Sequence, residues 1–99
     1  MINDSWWIAV LGRTLHWARL RERDAGTAEV LDHDGSLHAY DSIDTARSML
    51  LDAGYVEFDG LDEDDALERG FSLDELAPPR ASSDAGLVGL MSVTLGRRA

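Results

Sequence analysis

After Met1-Ile2-Asn3-Asp4-Ser5 comes the apolar run Trp6-Trp7-Ile8-Ala9-Val10-Leu11, and its aromatic and β-branched content predicts a strand. Successive side chains of a strand point to opposite faces, so Trp6 and Trp7 cannot share a one-sided core. Either both faces of the sheet are covered or one indole is exposed. From Arg13 to Arg23 two periods compete: Leu15, Trp17, Arg19, Arg21 and Arg23 would share a strand face, and Leu11, Leu15 and Ala18 a helix face. The turn signal Asp24-Ala25-Gly26 and the β-like run Thr27 to Asp32 favour the strand, joined to the next one as an antiparallel pair.

Between Ala28 and Tyr40, Asp34-Gly35 separates two β-like runs and predicts a hairpin. A three-residue loop would set Leu31 against Leu37 and Glu29 against Ala39, and a two-residue loop Val30 against Ala39 and Leu31 against His38. Ser42 then caps a helix from Ile43 to Ala53 with the apolar stripe Ile43, Ala46, Met49, Leu50 and Ala53, closed by Gly54. Tyr55 to Phe58 alternates like a strand with Val56 and Phe58 inward. Asp62 caps a short second helix through Glu68 that ends at Gly70, and Ser72-Leu73-Asp74-Glu75 has the capping-box form for one further turn, stopped by Pro78-Pro79. Leu87 to Leu95 fits period two and period 3.6 equally, since Leu87, Leu90, Met91 and Leu95 form a helical stripe that Gly89, Val93 and Thr94 weaken. The predicted fold is therefore α+β: a small antiparallel sheet of four to five short strands, one main helix packed on a face and a short acidic helical appendage. Residues 1–79 form the domain, 80–86 read as a linker, and 87–99 are an apolar C-terminal segment, strand or helix.

Composition sets the bounds. A chain of 99 residues that is 44% hydrophobic suffices for one core without staples. The absence of Cys excludes disulfides, thiolate metal sites and a Cys nucleophile and suits a reducing compartment, so a cytoplasmic location is expected. The polar N-terminus has no basic region, and its apolar run is far too short to span a bilayer. A net charge of -10 disfavours general binding to nucleic acid or anionic lipid, both of which need cationic side chains.

That charge is segregated: ten carboxylates lie between Asp52 and Glu75 against the single base Arg69. Acids in a first helical turn meet the positive end of the macrodipole, worth ~0.3 to 1 kcal/mol each, which explains part of the run as a solvated face. The remainder marks Asp59, Asp62, Glu63, Asp64, Asp65 and Glu68 as a candidate docking surface for a basic protein partner.

Other chemistries fare worse. Counted from Asp32, an EF-hand loop would place Leu37 at its invariant glycine and Ile43 at its bidentate glutamate. His33 and His38 with Asp32 and Asp34 have no further ligand fixed by spacing, so no metal site is expected. Ser42, Ser72, Ser82 and Ser83 read as caps or linker, outside any nucleophile elbow. The paired acids occupy the most polar stretch, where no apolar pocket lifts a carboxyl for acid-base work. No glycine-rich phosphate loop is present, so neither catalytic residues nor a cofactor are expected. Trp17 with Arg19, Arg21 and Arg23 resembles a stacking platform for single-stranded nucleic acid, against which stand the net charge and pairing of these arginines with the chain's own acids. A third class is an acidic mimic of DNA phosphates that inhibits a DNA-binding protein. The sequence favours a non-enzymatic interaction or regulatory protein over both.

Overall fold

The structure, a computed structural model, describes residues 3–23 and 25–95. Met1 and Ile2 of the polar terminus, Asp24 of the predicted turn and residues 96–99 of the C-terminal segment lie outside the described residues. Two long strands form the spine. β1 (Asn3–Leu11) pairs antiparallel with β2 (Thr14–Glu22) over its whole length, from Asn3 opposite Glu22 to Leu11 opposite Thr14. Gly12 and Arg13 turn the corner, and Gly12 takes the φ of 62° that a two-residue hairpin requires and a side chain resists.

The second hairpin joins β3 (Ala28–Leu31) to β4 (Leu37–Tyr40) in the three-residue-loop register, Leu31 opposite Leu37 and Glu29 opposite Ala39. The Asp32 N–H donates to the Ser36 carbonyl at 2.9 Å and closes the loop. With β5 (Val56–Glu57) on the far side of β1, the strand order is β4-β3-β2-β1-β5. A sixth strand, β6 (Ser92–Thr94), comes from the C-terminal segment and pairs with residues 14–16 of β2, beyond the end of β3 on the same edge. In the gap between β3 and β6, the Trp17 N–H donates to the Met91 carbonyl at 2.8 Å.

Both faces of the sheet are covered, which settles the question of the adjacent indoles. On one face Trp7, Ala18, Leu20, Ala28 and Val30 pack against α1 (Ile43–Asp52). Ser42 caps α1, accepting from the Thr45 N–H at 3.1 Å. At its other end Gly54, with φ 92°, lets its own N–H reach Leu51 O and the Tyr55 N–H reach Leu50 O, satisfying two carbonyls that the helix leaves open. Ala46 and Leu50, one turn apart, form the contact line, with Ile43 half-buried beside them. Met49 and Ala53, expected on the same stripe, are rotated off that line and exposed.

The opposite face carries Trp6, Ile8, Val10, Leu15, Trp17 and Leu31. No long helix covers it. Phe58 leaves the sheet after only two residues of β5 and enters a 3₁₀ turn (Phe58–Gly60), so the predicted strand through Phe58 is shorter than expected; Asp59-Gly60 behind it favours turning over pairing. Then follow α2 (Glu63–Glu68), another 3₁₀ turn (Leu73–Glu75), α3 (Asp84–Val88) and β6. Single side chains from these pieces and their connections, Ala66 in α2, Leu87 in α3, and Phe71, Met91 and Leu95 between or after them, complete a core with Ile8, Leu15, Trp17 and Leu31. The acidic α2 is thus tied to the core through Ala66, which is 0% exposed. Ser83, inside the linker-like stretch, caps α3 by accepting from the Gly86 N–H, and the apolar stretch behind it divides between the end of α3 and β6. Among the described residues no helix is long and apolar enough to cross a membrane.

Candidate functional site

Asp59 sits in the first 3₁₀ turn, Asp62 caps α2, and Glu63, Asp64, Asp65 and Glu68 lie within α2. Two of the six also hold the backbone. Asp62 Oδ1 accepts from the Asp65 N–H at 2.8 Å, and Glu63 Oε1 accepts from the Leu73 N–H at 3.2 Å, tying α2 to the following turn. Asp59, Asp64 and Glu68 are exposed. Among the described residues none of the six is in an ion pair, and Arg69 donates to the Asp65 backbone carbonyl at 3.0 Å instead of to a carboxylate. Leu67 is 55% exposed in their midst, on the surface one turn from Glu63 and Asp64. The result is an apolar spot rimmed by unneutralised carboxylates.

Arg19 and Arg21 of β2, and Arg23 just beyond it, are used differently. Arg19 Nη1 donates to Asp84 Oδ1 at 2.9 Å, Arg21 grips both oxygens of Asp4 at 2.8 and 3.0 Å, and Arg23 reaches Glu29 at 3.0 Å. These contacts hold the Asp84 and Asp4 carboxyls below the usual carboxylate range, the hydrogen bond from the arginine being the main cause in both. Trp17 shares their face but is 1% exposed, with the rings of Trp6 and Phe58 edge-on at 5.8 and 5.0 Å. Its indole is core and is not displayed to a base, and the three arginines make no free positive stripe.

Trp6 and Arg80 complete a cleft over Arg19 and Arg21. Trp6, half-buried on β1, and Arg80, exposed between Pro79 and α3, line it together with Asp4 and Asp84, an open cleft of about 570 Å³. Arg19 is 3% exposed, and its Nε is buried with no hydrogen-bond partner. An unmet buried donor of this kind costs about 1 to 3 kcal/mol. The Asp4–Arg21 pair follows directly from the β1–β2 register and was open to discovery once that hairpin was recognised. Asp84 lies 65 residues from Arg19 with no local signal joining them.

All three histidines gather where the second hairpin meets β6. The His16 and His33 rings stack at 3.8 Å, His16 Nδ1 lies 3.0 Å from Ser92 Oγ, and Asp32 has His33 at 3.3 Å and His38 at 3.9 Å. His16 is the third ring that spacing could not reveal. The stacked rings lie over one another, and among the described residues no group of three or more His, Asp or Glu side chains is arranged to hold a metal ion. Burial, then the neighbouring His33, lower the His16 pKa. Tyr55 against α1 is pushed up to about 12, chiefly by burial, so it stays protonated near neutral pH.

Compared with protein-family models, with curated proteins and with solved structures, the chain matches none.

Proposed function

We propose that this chain is a non-enzymatic, cytoplasmic interaction or regulatory protein that docks a basic protein partner through residues 59–68. The observation that carries the reading is the contrast in charge pairing. Arg19, Arg21 and Arg23 meet carboxylates elsewhere in the chain, and the six acids of this face have no ion pair among the described residues. Unpaired like charges raise the energy of the free protein and attract a cationic surface, and that attraction is screened over ~8 Å at physiological salt. Exposed Leu67 supplies the apolar anchor that a purely solvated acidic face would lack.

Asp59, Asp64 and Glu68 make no backbone contact that holds the fold, so Asp59→Asn/Asp64→Asn/Glu68→Gln is the informative variant, leaving the caps of Asp62 and Glu63 in place. Capture from lysate at low and high salt should recover partners with wild type at low salt, lose them at high salt, and recover few with the variant. Equal recovery in all four samples would reduce the face to a solvated one.

A further inference from the structure

The cleft over Arg19 and Arg21 lies on the same sheet face as the acidic α2, yet its charge has the opposite sign. Its described lining residues include three arginines against two aspartates, one net positive charge in a chain of net charge -10. Desolvation explains why this matters: a guanidinium buried in a cleft attracts an oxyanion more strongly than one in water. Arg21 spends Nε and Nη2 on Asp4 and keeps Nη1, and Arg19 spends Nη1 and, at 3.5 Å, Nη2 on Asp84. Arg80 has no partner among the described residues. Donors therefore remain after the carboxylates are served. Arg19 and Asp84 are also unequal partners, with side chains 4% and 54% exposed. The buried arginine is fixed by the sheet, and the aspartate reaches it from a segment that runs over the surface.

We infer that this cleft binds a small ligand bearing a phosphate or carboxylate on a flat ring, the oxyanion meeting Arg21 and Arg80 and competing with Asp84 for Arg19, the ring lying against Trp6. Asp84 acts as an internal stand-in for the ligand's anion. Carboxylate and phosphate share this recognition chemistry, and a guanidinium fork suits both. Trp6 is the aromatic residue among the described lining, half-buried where Trp7 and Trp17 are buried, so its indole N–H reports the site.

The test is a nitrogen-15 NMR titration of the full chain with phenyl phosphate, benzoate, inorganic phosphate and a single-stranded oligonucleotide, following the Trp6 indole and the Arg21 and Arg80 Nε–H signals. Saturable shifts at all three groups are expected with phenyl phosphate or benzoate, and the tighter of the two names the oxyanion. Arg80 is exposed, so Arg80→Gln should fold normally and bind about tenfold more weakly, the loss expected for one charge-assisted hydrogen bond. Asp84→Asn should bind more tightly, because it removes the competitor. Shifts that never saturate, equal binding by Arg80→Gln, or weaker binding by a folded Asp84→Asn would overturn the inference. Inorganic phosphate binding as tightly as phenyl phosphate would remove the ring from it. A single-stranded oligonucleotide binding far more tightly than either aryl ligand would replace it with a nucleic-acid interface.

Discussion

The two faces of the sheet are covered by opposite means. On one, α1 lays Ala46 and Leu50 over Trp7, Ala18, Leu20, Ala28 and Val30, and the described core residues there are apolar. On the other, α2 and α3 contribute Ala66 and Leu87, and the connections around them and β6 contribute Phe71, Met91 and Leu95, one at a time. That face also holds the buried Arg19, the cleft with Trp6 and Arg80, and the unneutralised acids of α2. A continuous helix can close an apolar surface almost completely. Irregular cover leaves gaps and loop ends, and polar groups collect in them. The proposed docking surface and the cleft both lie on the irregular face.

The sharpest way to break this division is to treat the irregular cover as dispensable. Met91 is 0% exposed and its carbonyl receives the Trp17 N–H. Met91→Ala should lower stability by about 2 to 5 kcal/mol, as for other large-to-small changes in a packed core. A denaturant midpoint close to wild type would show that residues beyond 80 are not part of one cooperative core. On the helix side, Ser42→Ala removes the acceptor for the Thr45 N–H and should cost about 1 kcal/mol. Circular dichroism with an unchanged midpoint would dismiss Ser42 as the cap.

The smallest effect is on pH, and it separates two windows. The folded His16 has a pKa below the ordinary histidine value of 6.5, so the unfolded chain binds more protons just below that pH. Stability should therefore fall gently as pH drops through about 6.5 toward the folded value, and His16→Gln should remove that slope. The Asp4 and Asp84 carboxyls are lowered from 3.8, so their stabilisation is intact at neutral pH and is lost only as pH falls below that value. A single acid transition below about pH 4, identical in His16→Gln, would show that the stacked pair carries no linkage.

What could be read from the sequence follows the same division. α1, its Ser42 and Gly54 ends and the hairpin register of Leu31 against Leu37 depend on residues within one turn or one loop of each other. Their signals are local. The Gly12-Arg13 turn is equally local, a glycine between two β-like runs, and it sets Asp4 opposite Arg21. The irregular face offered no such handle. Phe71, Leu87 and Met91 become core only through packing against strand residues some forty to eighty positions away, and no periodicity marks an isolated anchor. The acidic block was visible as composition, whereas its lack of ion pairs and the exposure of Leu67 emerge only from the fold. The Arg19–Asp84 pair and Trp6 as a cleft wall are likewise products of distant contact.

The central claim is that residues 59–68 dock a partner as a local surface and not through bulk charge. The direct measurement compares two variants that change the net charge of -10 by the same three units. One is Asp59→Asn/Asp64→Asn/Glu68→Gln on the irregular face. The other is Asp41→Asn/Asp44→Asn/Asp52→Asn, at exposed positions in and beside α1. In capture at low salt, the account predicts that the first variant loses the wild-type partners and the second retains them. Equal loss in both would assign the attraction to net charge alone and contradict a docking face.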